Sequence, residues 1–190
     1  AASDVYKRQS MIRGIGWRFM ELGKRIERAL QTITTIRSLM STVTGEGDQS
    51  TLLTALLVSM EVLITYRRRG RERRGIELGL ELVLLDGSNP RSLIFQLERL
   101  QQHLDQLPKA APDSGELEEE GRALLEAMTS LQLSRVPQLL ETQSETREEL
   151  NNRLHQLEKL LKDFNRFVSD KHFDHRSDPQ QLVTTFWGEQ

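Results

Sequence analysis

Apolar residues recur along this chain in long stripes at helical spacing, and that recurrence limits the fold more than any other feature. At about 100° per residue, Ile26, Ala29, Ile33, Ile36 and Met40 all fall within about 40° of Leu22. Leu93, Leu97, Leu100, Leu104 and Leu107 step by four and three, and so do Leu150, Leu154, Leu157, Leu161, Phe164 and Val168. Each stripe must be covered by another apolar surface. No segment alternates apolar and polar residues in the manner of a half-buried strand. The expected fold is therefore all-α: an antiparallel multi-helix bundle of about five to six helices, packed at shallow angles. Loops interrupt every stripe, which argues against one continuous coiled coil.

The boundaries read as follows. Residues 14–43 form one helix, ending at Thr44-Gly45-Glu46-Gly47. Ser50 is the expected N-cap of a second helix. That helix carries Leu53, Leu56, Leu57, Met60, Leu63 and Ile64 and runs into Tyr66-Arg67-Arg68-Arg69, cations suited to a helix C-terminus. Gly70 and Gly75 bracket a charged turn, and residues 76–85 make a short apolar helix stopped by Asp86-Gly87-Ser88. Asn89-Pro90 reads as an N-cap followed by Pro at the first helical position. Leu117, Leu124, Met128 and Leu131 mark the next helix, Val136-Pro137 breaks it, and a last helix covers 138–170.

The N-terminus reads differently. Asp4-Val5-Tyr6-Lys7-Arg8-Gln9 resembles the translation of a transposon end used to fragment DNA for sequencing. Residues 1–9 are expected to be an adapter artefact on a metagenomic contig, with no place in the fold. The helical domain then spans 10–175, truncated at its N-terminus, and 176–190 form a tail.

The net charge is −2, so bulk electrostatics favour no nucleic acid. The absence of cysteine rules out disulfides and thiolate metal sites. The apolar run from Leu52 to Thr65 contains Ser59 and Glu61 and is too short and polar to span a bilayer. A soluble, cytoplasmic protein with no membrane partner is the expectation.

Chemistry concentrates in charged constellations. Arg18, Glu21, Arg25 and Arg28 line one helical face beside Glu27, and Glu21 precedes Arg25 by the spacing that favours an ion pair. These guanidinium groups either bind carboxylate or phosphate bidentately or lock the helix to a neighbour. Residues 67–74 carry +5, expected as a solvated turn or acidic-partner surface, partly balanced by the −5 of 113–120. Nucleic-acid binding there lacks interleaved aromatic residues and a recognition motif. In Asp86-Gly87-Ser88-Asn89-Pro90-Arg91-Ser92, free N–H groups at a helix start either hold an anion beside Arg91 and Ser92 or serve only as a cap. His172-Phe173-Asp174-His175 invites a metal, but the spacing is weak and His103 and His155 look solvated. No Gly-rich phosphate loop, nucleophile elbow, HExxH or pair of Glu-x-x-His motifs occurs, so the residues call for no cofactor and no metal.

Four stretches together resemble the alpha-E family, predicted helical bacterial domains named for a Glu-Arg motif. They are Gly16-Trp17-Arg18-Phe19 through Glu27-Arg28, Ile64-Thr65-Tyr66-Arg67-Arg68-Arg69, Leu84-Leu85-Asp86 through Asn89-Pro90-Arg91-Ser92, and Phe173-x-His175. The resemblance covers most of residues 14–175 and looks like the C-terminal part of such a domain. It implies action beside a circularly permuted ATP-grasp protein, in trans or fused upstream, in ATP-dependent peptide-bond formation or peptide tagging. The expected role is a non-catalytic accessory or docking domain that presents a peptide substrate. The expected contacts are Arg18, Glu21, Arg25, Glu27, Arg28, Tyr66, Arg67, Asp86, Asn89, Arg91 and Ser92. The alternative is a helical enzyme with an Arg/Glu/Asp pocket between its helices.

Overall fold

A computed structural model describes residues 14–43, 45–70, 75–108, 116–142 and 145–173. The described residues form eight helices and no strand: α1 (Ile15–Met40), α2 (Glu46–Ser59), α3 (Leu63–Arg69), α4 (Ile76–Leu84), α5 (Leu93–Leu104), α6 (Glu119–Gln132), α7 (Val136–Leu139) and α8 (Glu148–Phe173). Residues 1–13 and 174–190 lie outside the description, and with them the adapter reading, the tail, Asp174 and His175.

The four long helices α1, α5, α6 and α8 form the bundle, with α1 against α5 and α8, and α6 against α5 and α8. Neighbours run antiparallel. Phe19, near the start of α1, stacks edge-on against Phe173 at the end of α8, with ring centroids 4.8 Å apart. At the opposite pole Thr42 pairs with Thr146 in an isolated antiparallel bridge. Trp17 meets His103 at the far end of α5, and Lys171 meets Glu118 and Glu120 at the start of α6. The stripes named from the sequence fill the centre: all six residues from Leu22 to Met40 are buried, as are all six from Leu150 to Val168. Leu93, Leu97 and Leu100 face them.

The smaller helices cover the open side of α1 and α5, and here the boundaries depart from expectation. Residues 46–69 are two helices, bent by 118°. Glu61 sits in the left-handed region at φ 56°, and the Val62 N–H bonds back to the Leu57 carbonyl at 2.8 Å. That six-to-one bond is a Schellman stop, with the apolar Val62 buried just beyond it. The bend turns Ile64 outward, so it is exposed rather than part of the stripe. Ser50 lies inside α2, whose N-cap position is Gly45. Helix α4 packs on α2 at a glycine: a Cβ on Gly79 would stand 2.5 Å from the Leu53 Cδ1.

Two further boundaries move. The N-cap of α5 is Ser92, not Asn89; the Ser92 hydroxyl accepts from the Phe95 N–H and donates to the Asp86 carbonyl at 2.7 Å. Residues 138–170 are not one helix. α7 ends at Leu139, and α8 starts nine residues later behind Arg147. Leu117, expected on the α6 stripe, precedes that helix and is exposed. Among the described residues no single helix is long and apolar enough to cross a membrane; α2 and α3 together reach that length but meet at the 118° corner.

Candidate functional site

Helical spacing puts Arg28, Gln31, Thr32 and Thr35 on one side of α1. Across from them α2 ends at Ser59 and Met60, the loop into α5 delivers Arg91, and the first turn of α5 delivers Gln96. These eight residues line a cavity of about 140 Å³. Two of the expected residues, Arg28 and Arg91, thus share one space although 63 positions separate them in sequence.

The lining side chains have different commitments. Gln96 is buried; its amide nitrogen donates to the Pro90 carbonyl at 2.6 Å, and its oxygen accepts from Arg25 at 3.3 Å. Both of its polar atoms are thereby spent on holding the α5 loop to α1. The Thr35 hydroxyl donates to the Gln31 carbonyl at 2.9 Å, and the Ser59 hydroxyl to the Ala55 carbonyl at 2.8 Å. Arg91 pairs with Glu61, and its own N–H bonds to the Asn89 side chain at 3.0 Å. Arg28 is exposed and has no hydrogen bond or ion pair with any described residue.

The rest of the α1 strip is arranged as a support. Glu21 pairs with Lys24 at 3.2 Å and with Arg25 at 3.5 Å. Burial lowers Arg25 from its ordinary value; Glu21 raises it, and nearby Arg28 and Arg99 lower it further. The buried Nε of Arg25 has no hydrogen-bond partner among the described residues. His103 is half-buried against Trp17, not solvated as its helical position suggested, with ring centroids 5.4 Å apart. Burial lowers its pKa, Glu21 raises it, and Arg25, Arg18 and Arg99 lower it. Glu27 is exposed, and Arg18 is half-buried with no ion pair to a described residue.

The other expected residues gather elsewhere. Asp86 pairs with Arg69, not Arg67, at 2.8 Å. Burial raises the Asp86 carboxyl, but hydrogen bonds from the Ser88 hydroxyl and N–H and the charge of Arg69 outweigh it and leave the group below its usual range. The Asn89 side chain donates to the Leu82 carbonyl at 2.7 Å and fixes the turn between α4 and α5. Tyr66 accepts the Gly75 N–H at 3.0 Å, tying the two ends of the charged turn together. Arg67 is exposed without an ion pair to a described residue. Of the expected acidic balance for 67–74, Glu118 and Glu120 engage Lys171 instead, while 71–74 and 113–115 lie outside the described residues.

Sequence reasoning missed Gln31, Thr32, Thr35, Ser59, Met60 and Gln96. Thr32 and Thr35 carried a usable signal, since they follow Arg28 by four and seven on the same face. Gln96 carried none, because its partners come from a distant helix and a backbone carbonyl. No group of His, Asp and Glu among the described residues is arranged to hold a metal ion.

A family profile described as "a predicted alpha-helical domain with a conserved ER motif", the Alpha-E domain, matches residues 6–173. The chain belongs to the Alpha-E family. Three Glu-Arg pairs fall within the matched span, Glu27-Arg28, Glu72-Arg73 and Glu98-Arg99, and the first carries the Arg28 of the cavity. An uncharacterized protein of Mycobacterium tuberculosis is 39% identical over 106 residues, 56% of this chain and 12% of that protein. An uncharacterized protein of Mycobacterium bovis matches to the same extent. The chain thus spans only about an eighth of the length of these curated relatives. No solved structure matches the chain.

Proposed function

We propose that this Alpha-E chain acts as a non-catalytic helical accessory domain for an ATP-grasp amide-forming ligase in the cytoplasm, docking the ligase or presenting a peptide to it. The observation that carries the reading is Arg28, an unpaired guanidinium facing Arg91 across a shared cavity. A cationic notch of this kind is a recognition element for an anionic group on a substrate or partner. The rigid support from Gln96 and Arg25 suits positioning. The lining, Arg28, Gln31, Thr32, Thr35, Ser59, Met60, Arg91 and Gln96, holds no carboxylate, imidazole or amine to serve as general acid or base. Asp86 and Glu21, which the enzyme alternative requires in the same pocket, are tied to Arg69 and to Lys24 and Arg25 outside it. That geometry favours the accessory reading over an enzyme.

The test is reconstitution with an ATP-grasp protein encoded beside or fused to this domain. Replacing Arg28 and Arg91 with Ala is expected to lower ATP-dependent amide formation at least about tenfold, the loss typical of a charge-assisted contact, with helical circular dichroism unchanged. Ligase activity that is the same with and without the two arginines would remove the proposal.

A further inference from the structure

We propose that the cavity between α1, α2 and α5 is a carboxylate site, in which Arg28 and Arg91 grip the C-terminal carboxylate of a peptide while the hydroxyl oxygens of Thr35 and Ser59 accept its N–H. This deepens the accessory reading and rests on it for the peptide; the carboxylate chemistry rests on the cavity.

The charge count comes first. Arg28 and Arg91 are the charged side chains on the lining, and Arg91 is paired with Glu61, which is not on it. One positive charge is left uncompensated, which matches a monoanion rather than a phosphate dianion. Donors come next. A guanidinium offers a planar fork that fits two carboxylate oxygens. Arg28 has its whole fork available. The Thr32 hydroxyl, on a buried residue between Arg28 and Thr35, also has no partner among the described residues.

The acceptors decide between anions. Thr35 and Ser59 each spend their proton on a carbonyl one turn back in their own helix. With their protons so engaged, these two lining residues offer lone pairs and no free O–H. A phosphate presents mostly acceptor oxygens to them, whereas a peptide C-terminus brings an amide N–H a few ångströms from its carboxylate. Size agrees: about 140 Å³ is well short of the roughly 300–1,000 Å³ of drug-sized pockets and suits one residue.

The test is a titration of the ¹⁵N-labelled 190-residue chain, with no ligase present. The probes are N-acetyl-alanyl-alanine, its C-terminal amide and inorganic phosphate. The free acid should move the amide signals of Thr32, Thr35 and Ser59 and saturate. The amide should bind at least about tenfold more weakly, since it forfeits the charge-assisted fork, and phosphate should not exceed the acid. Arg28→Ala should lose at least about tenfold in affinity, Arg28→Lys should fall between, and Arg67→Ala should bind like the parent chain. Arg28 is exposed and unpaired, so its variants keep the fold. Equal binding of acid and amide, tighter binding of phosphate, or an Arg28→Ala chain that binds like the parent would each overturn the assignment. Carboxylate binding with no effect of the arginines on ligase activity would defeat the accessory reading alone. The opposite pattern would defeat the carboxylate site alone.

Discussion

The guanidinium of Arg147 donates to the main-chain carbonyl of Met40 at 2.8 Å and so closes the C-terminal end of α1 from the far side of the sequence. It also reaches the Thr42 carbonyl at 3.3 Å and the Gln49 side chain at 3.1 Å. The residue is 4% exposed, and burial lowers its pKa. Its acceptors are the exposed dipole ends of a helix rather than a carboxylate. Removing it strands buried carbonyls. Arg147→Ala is expected to cost about 2–3 kcal/mol of unfolding free energy, in line with hydrogen bonds to a charged group. Arg147→Lys should recover only part, because an ammonium cannot span three acceptors. Urea unfolding of both variants measures this; an Ala variant as stable as the parent would show that the latch contributes nothing.

Lys171 holds Glu118 and Glu120 at the opposite pole, with Glu120 4% exposed and 2.6 Å away. Burial lowers the Lys171 pKa, but the two glutamates outweigh it and raise the group above its ordinary value. Lys171→Ala leaves a buried carboxylate unpaired and should cost about 1–3 kcal/mol, less than a fully buried pair because the lysine is partly solvated. Lys171→Met combined with Glu120→Leu should return most of that loss. A double variant no more stable than the single one would contradict this.

Glu61 does two opposed things. Its positive φ costs stability in a non-glycine residue, and its carboxylate occupies Arg91. The pair is solvent-exposed, so its own contribution is small. Glu61→Gly should therefore gain about 0.5–1 kcal/mol by relieving the backbone. It should also tighten carboxylate binding a few-fold, since Arg91 is released. Glu61→Gln separates the effects: the affinity gain should persist without the stability gain. Thermal melts and the peptide titration read the two quantities independently.

Stability should fall toward acid in two stages. Burial depresses His103 below its ordinary 6.5, and burial with the charge of Lys171 depresses His172 in the same way. The unfolded chain therefore binds protons first as pH drops through 6.5, and stability declines from there downward. Hydrogen bonds from Lys162 and Arg37 hold Glu158 below 4.5, and Asp86 lies below 3.8. Both contribute stability above their unfolded values and lose it as pH falls through the folded ones, which gives a second, lower stage. On the alkaline side the raised Lys171 contribution is complete below 10.5 and is lost as pH rises through its folded value. Urea midpoints across pH, with His103→Gln and His172→Gln, check the first stage; a flat profile between pH 7 and 5 would exclude it.

The bundle was legible because burial writes itself into spacing: the stripes from Leu22 to Met40 and from Leu150 to Val168 are buried throughout. The interruptions were not. A glutamate at φ 56° carries no local stop signal of the kind a glycine gives, so the helix behind Ser50 read as continuous into Arg67-Arg68-Arg69. Asn89 and Ser92 are both good caps, and only the Ser92 contact with Phe95 decides between them. At the site, the wheel put Arg28 on a face but could not say what stood opposite. Arg91 reaches it through a turn that Asn89 and Gln96 hold by bonds to backbone carbonyls, which leave no trace in residue type.

Because Phe19 rests on Phe173, the bundle has both of its leads at one pole. The start of α1 and the end of α8 thus sit side by side, like two wires on one side of a plug. The notch at Arg28 lies about 20 Å along α1 from that end, at 1.5 Å per residue. The Arg147 latch closes the other end of the bundle, so the two helix ends and the latch stand at opposite poles.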